Sequence, residues 1–140
     1  MYQYGLNLLY KFGMVECKSV ATPLDRNLKL DVDSGTTECE SAQYQQLIGT
    51  LIYLTITRPD LSYPVGLLSQ FMQNPQNIHL DCAKRVLEYV SDTVDCGILY
   101  KATMSIRFEG YTDAVWADYR ADRRSTSGFV FSLDSGAISW

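Results

Sequence analysis

The chain has 140 residues, 46% hydrophobic and 20% charged, with a net charge of −4 at pH 7. That balance supplies enough apolar surface for the core of one ordinary domain and excludes a disordered tail. No apolar run reaches the roughly 18 residues a membrane-spanning helix needs, and an acidic chain is a poor unaided binder of a phosphate backbone.

Residues 1–21 admit two readings. Leu6, Leu9 and Tyr10 stand at i, i+3 and i+4 and predict a short amphipathic helix that stops at Gly13. The same stretch is also a weak signal peptide: an apolar patch at residues 6–10, then Ser19-Val20-Ala21 as a small-residue cleavage site. Lys11, Glu16 and Lys18 interrupt the part that should stay apolar. Residues 22–42 are polar and acidic. Asp25, Asp31, Asp33, Glu38 and Glu40 stand against Arg26 and Lys29, and Pro23, Ser34, Gly35, Thr36 and Thr37 complete the composition of an exposed linker.

Residues 43–95 read as helical. Tyr44, Leu47, Ile48, Leu51, Ile52 and Thr55 recur at three- and four-residue steps and give one apolar face. Arg58-Pro59-Asp60 ends that helix, because a proline drives the residue before it out of helical geometry. A second helix begins near Asp60 with Pro64 in its first turn. It presents Leu61, Val65, Leu68 and Phe71 or Met72, and it closes at Asn74-Pro75. A third runs from about Ile78 to Val90, with Leu80, Ala83, Val86, Leu87 and Val90 inward and Lys84, Arg85 and Glu88 outward.

Over residues 96–140 the period changes. Residues 97–100, 106–111, 128–131 and 137–140 read as strands, the last two joined by a hairpin turn at Asp134-Ser135-Gly136. Trp140 stands inside the last of them, so the expectation is a sheet cut from a larger fold. The fold class is α+β: a helical N-terminal part and then a small antiparallel sheet. The tyrosines and phenylalanines fall on the apolar faces and read as core side chains, not as base-stacking platforms.

The cysteines are Cys17, Cys39, Cys82 and Cys96, with no C-x-x-C pair, and His79 is the only histidine. His79-x-x-Cys82 falls short of the four closely spaced ligands of a zinc site. Two readings of the thiols stand: buried cysteines in a reducing compartment, or, in a secreted protein, two disulfides in one of three connectivities. No cofactor is expected.

Several motifs resemble the polyprotein of Copia-type retrotransposons. They are residues 44–55 (YQQLIGTLIYLT), 57–63 (TRPDLSY), 83–89 (AKRVLEY), 110–117 (GYTDAVWA), 122–128 (DRRSTSG) and 136–140 (GAISW), in family order over nearly the whole chain. The resemblance implies the end of a reverse transcriptase, its thumb and connection, followed by the first strands of a ribonuclease H-like domain. It implies little catalysis. No Tyr-x-Asp-Asp motif is present, and ribonuclease H chemistry needs several carboxylates to hold two metal ions. By resemblance Asp113 is the vestigial first of them; Val115 stands where the family usually carries aspartate, and one carboxylate cannot clamp two ions. Asp113 is otherwise an ordinary strand-end aspartate. Arg120, Arg123 and Arg124, with Ser125 and Thr126, form a turn able to touch phosphate, but Asp118 and Asp122 nearly cancel its charge.

The chain also resembles secreted RxLR-type effectors of plant-pathogenic oomycetes. Arg26-Asn27-Leu28-Lys29 is a degenerate Arg-x-Leu-Arg, and Glu38-Cys39-Glu40 echoes the acidic motif that follows it, both after Ala21. Lys29 replaces arginine and the acidic motif is incomplete; without the resemblance the segment is a solvated linker. The functional expectation is a non-catalytic effector, secreted and then acting inside the host cell. It would suppress plant immunity or cell death by binding unidentified host plant proteins, with no strong nucleic-acid binding and no membrane span. The alternative is an inactive fragment of a Copia-type reverse transcriptase/ribonuclease H polyprotein.

Overall fold

A computed structural model of the chain describes residues 2–25, 30, 37–102, 106–115 and 126–140. They form two compact units, Met1–Cys96 and Gly97–Trp140. The first holds four helices and the second a three-stranded antiparallel sheet, which is the α+β arrangement the sequence predicts.

In the helical unit α1 spans Tyr2–Lys11 and α2 spans Ser41–Leu54. On α2 the buried arc is Tyr44, Leu47, Ile48, Leu51 and Leu54. After it Pro59 holds Arg58 at φ −126° and ψ 84°, outside helical geometry, so the chain turns. A short 3-10 turn, Pro59–Leu61, leads into α3, Ser62–Ser69, whose first turn accommodates Pro64. The last helix, α4, spans Asn77–Asp92 and buries His79, Cys82, Ala83, Val86, Leu87 and Val90. The Tyr44 hydroxyl donates to the Leu68 carbonyl at 2.7 Å and ties α2 to α3. Tyr4 donates to Thr50 O at 3.2 Å and ties α1 to α2. Gly13, at φ +66°, ends the chain's first helical segment in the left-handed region that glycine tolerates.

Several expected positions shift. Tyr10 and Ile52, read as core from their spacing, are 69% and 44% exposed, and Leu6 and Leu80 are only half-buried. α1 meets its neighbours through Gly5, where a Cβ would stand 3.2 Å from Val94 Cγ2. That close approach turns the buried arc to Leu8 and Leu9 and leaves Tyr10 outside. At the end of α2, Leu54 takes the inward place and Ile52 faces out. The linker is not wholly solvated either: Leu30 is buried, and Glu38 forms an antiparallel bridge with Gln76. Only Cys82 of the four thiols is buried; Cys17 and Cys39 are half-buried, Cys96 is exposed, and all four are free.

In the second unit β1 spans Phe108–Val115, β2 Thr126–Leu133 and β3 Gly136–Ser139, in that spatial order. β1 and β2 pair from Phe108↔Leu133 to Val115↔Thr126. The predicted hairpin joins β2 to β3, with Asp134 at φ 55° and its N–H donating to Arg107 O at 2.7 Å. Residues 97–100 are not a strand. Tyr100 instead uses its side chain: its hydroxyl donates to Ala137 O at 2.5 Å and its ring lies against Gly136, where no Cβ would fit. The sheet aromatics are not a core, since Phe108, Tyr111 and Phe129 are 63%, 64% and 46% exposed. No helix among the described residues is long and apolar enough to cross a membrane.

Candidate functional site

Asp113 lies on β1 opposite Gly128, exposed, and its Oδ1 accepts the N–H of Ala114 at 2.8 Å. Alternation along a strand puts Glu109, Tyr111 and Asp113 on one face. Glu109 is four residues away, about 13 Å at the usual strand rise, too far to share an ion with Asp113. It is engaged elsewhere, in an ion pair with Arg107 at 2.8 Å and a hydrogen bond from Tyr111 at 3.3 Å. Among the described residues no group of three or more His, Cys, Asp or Glu side chains could hold a metal ion. The Arg120, Arg123, Arg124 and Ser125 turn lies outside the described residues, as do Asp118 and Asp122.

The opposite face of the sheet carries Phe108, Phe129, Phe131 and Leu133. Phe108 and Phe131 stack with centroids 5.6 Å apart and planes 5° from parallel, and Phe129 leans on Phe131 at 5.6 Å. Phe131 also covers Gly110, where a Cβ would come within 2.5 Å of its ring.

The best-built polar constellation was not foreseen as a site. Arg58 is 7% exposed and grips Asp60 through two bonds, Nε to Oδ1 at 2.9 Å and Nη2 to Oδ2 at 2.7 Å. Its Nη1 donates to Thr93 O at 2.9 Å and its Nη2 to Thr93 Oγ1 at 2.7 Å, closing the C-terminal end of α4. The Tyr89 hydroxyl donates to Asp60 Oδ2 at 3.0 Å, and the guanidinium lies 5.8 Å from the Tyr89 ring centroid. The Asp60 hydrogen bond and charge raise Arg58 against the opposing effect of burial. Burial pushes Asp60 up, but the Arg58 hydrogen bond and charge and the Tyr89 hydroxyl outweigh it and hold the carboxyl below its usual range. Tyr89 is raised, by burial first and then by Asp60. The network clamps α4 to the turn before α3. One signal was present in the sequence: Arg58 and Asp60 are the only Lys, Arg, Asp or Glu between Glu40 and Asp81.

The remaining candidates fall apart as sites. Glu38 and Glu40 are exposed, while Arg26, Asn27, Leu28 and Lys29 lie outside the described residues. His79 and Cys82 are buried side by side on α4, but His79 Nδ1 already accepts the Gln76 N–H at 3.0 Å. Burial pushes the Cys82 thiol up to about 11, the wrong direction for a metal-binding thiolate.

The chain is 41% identical over 99% of its length to the retrovirus-related Pol polyprotein from transposon RE2 of Arabidopsis thaliana, and 40% identical over the same share to that from transposon RE1. It is 40% identical, over 72% of both chains, to secreted RxLR effector protein 161 of Plasmopara viticola. Over nearly its whole length the chain is similar to a segment of Copia-type, retrovirus-related Pol polyproteins. It spans about a tenth of the length of the two Pol polyproteins. No protein-family model matches it, and no solved structure does. That similarity accounts for the ordered run of motifs from Tyr44 to Trp140, and the effector shares sequence with the same chain.

Proposed function

We propose that the chain is a non-catalytic segment of a Copia-type Pol polyprotein, joining a reverse-transcriptase-like helical part to the first strands of a ribonuclease H-like sheet. On this reading it works by packing against protein, with the helical unit as a folded support and the aromatic face of the sheet as a surface to be covered. The observation that carries it is the geometry at Asp113: among the described residues the other carboxylate on that face, Glu109, is about 13 Å away and already paired with Arg107. Two-metal cleavage needs carboxylates converging on ions about 4 Å apart. The purified chain is therefore expected to show neither magnesium-dependent cleavage of RNA–DNA hybrids nor primer extension. Its binding to such hybrids at physiological salt should be weak, given the net charge of −4. Hybrid cleavage that disappears in Asp113→Asn overturns the reading.

The match over 72% of both chains to a secreted RxLR effector favours a second reading, a secreted protein that acts on host plant proteins. Glu38 and Glu40 are exposed, as an entry motif would have to be. Two measurements divide the readings: export of a reporter fused to residues 1–21, and the response of plant cells expressing the chain to a death-inducing protein. Export with suppressed death supports the effector; neither, with the protein shown to accumulate, leaves the Pol segment.

A further inference from the structure

The start of α4 is held by an unusual choice of cap. Gln76 precedes the helix, and its backbone N–H donates to Nδ1 of His79 at 3.0 Å. An imidazole nitrogen that accepts is unprotonated, so the ring is the neutral tautomer with its proton on Nε2. That ring has no solvent exposure. It stacks on Phe71 with centroids 4.0 Å apart and planes 17° from parallel, and the Tyr44 ring lies at 6.5 Å. Nε2 is buried and finds no hydrogen-bond partner among the described residues.

Pro75 and Gln76 before α4, with its first residue Asn77, hold the segment that leads into α2. Gln76 bridges to Glu38, Cys39 N–H donates to Pro75 O at 3.2 Å, and Asn77 N–H donates to Thr37 O at 3.0 Å. His79 thus fixes the residue on which the whole attachment turns.

We propose that His79 is an acid-released latch, which ties Thr37–Glu40 to the start of α4 while its imidazole is neutral and lets go when the ring is protonated. A proton on Nδ1 replaces the acceptor by a donor facing the Gln76 N–H. It also places a cation at the positive end of the α4 dipole, in an apolar cage.

Among the described residues no group packed around the ring supplies a counter-charge. From α2 the titratable neighbour is Tyr44, which burial, then Cys82 and Cys39, pushes well above its usual value. On α4 Cys82 is pushed up to about 11 by burial, with a smaller contribution from Asp81. The turn after α3 offers Phe71. On the tied segment Cys39 is raised by burial, and the acids Glu38 and Glu40 are exposed while the ring is not. Phenol and thiols are therefore neutral wherever the imidazole titrates. Burial alone holds His79 below its ordinary 6.5.

Because His79 is the only histidine, its ring resonances in the full chain report its titration without any substitution. NMR is expected to find the Nε2-protonated tautomer at neutral pH and a titration below 6.5. Across that titration, hydrogen exchange at Gln76, Asn77 and Cys39, corrected for intrinsic rates, should accelerate about tenfold or more while Leu51 stays protected. His79→Gln keeps an acceptor and cannot titrate, so in it the three amides should show no acid step. A ring titrating at or above 6.5, amides that stay unchanged through the titration, or an equal acid response in His79→Gln each overturns the latch.

Discussion

The helical unit closes a core of fully buried apolar side chains, and the described residues of the sheet unit have none. Leu47, Ile48, Leu51, Leu61, Leu68 and Leu87 are 0 to 2% exposed, whereas Ile106 is 80%, Phe108 63% and Ile138 46%. Among the described residues of the second unit only Gly136 is buried. The difference lies in what each element needs. Four helices supply one another with apolar surface and close a core by themselves. Three strands satisfy their backbone groups in the ladder, but a sheet needs a second layer to bury a face. The two units therefore rest on different forces: side-chain burial in the first, cross-strand pairing in the second.

The largest effect that tests this contrast is expected from Leu51→Ala. Leu51 is fully buried, and the truncation should cost about 3 kcal/mol in urea unfolding followed by helical circular dichroism. Next comes Arg58→Ala, which leaves the Thr93 carbonyl and Asp60 without their charged partner. About 2 kcal/mol is expected, at the lower end for a charged partner because the Asp60 side chain remains 36% exposed. The clamp has a signed pH dependence. Its carboxyl is depressed below 3.8, so the stabilisation is complete above that value and fades as pH falls through the native pKa. His79 gives an earlier acid step of the same sign: the unfolded chain takes up its proton first, so stability declines as pH drops below 6.5. Two separate declines in a thermal-stability profile, the earlier one absent from His79→Gln, check both.

Smaller effects belong to the sheet. Gly110→Ala puts a Cβ into the Phe131 ring and forces it off Phe108, for a cost of about 1 kcal/mol. Amide exchange confined to 108–115 and 126–139 measures it. Phe129→Thr, a polar strand-former at a 46% exposed site, should stay within about 0.5 kcal/mol. A loss as large as that of Leu51→Ala would mean that the aromatic face is covered in solution, and the contrast between the units would fail.

Helix boundaries were legible wherever chemistry is local. Pro59 sets Arg58 outside helical geometry, Gly13 stops the first helical segment, and Asp134-Ser135 turns the hairpin, each through backbone sterics that a few neighbours determine. The order of helices followed by a sheet was readable for the same reason. Tertiary packing decided the rest. Spacing placed Tyr10 and Ile52 on apolar faces, yet which part of a face is covered depends on how closely a neighbour approaches, as at Gly5. The 97–100 segment has strand-like residues but no backbone partner, and its contribution passes through the Tyr100 ring. Arg58 meets Thr93, and Gln76 meets Glu38, across 35 and 38 residues of sequence. Local sequence set the elements because their dihedrals are local. Only the folded chain assigned partners to Arg58 and His79, because burial and hydrogen bonding across such distances are properties of the packed whole.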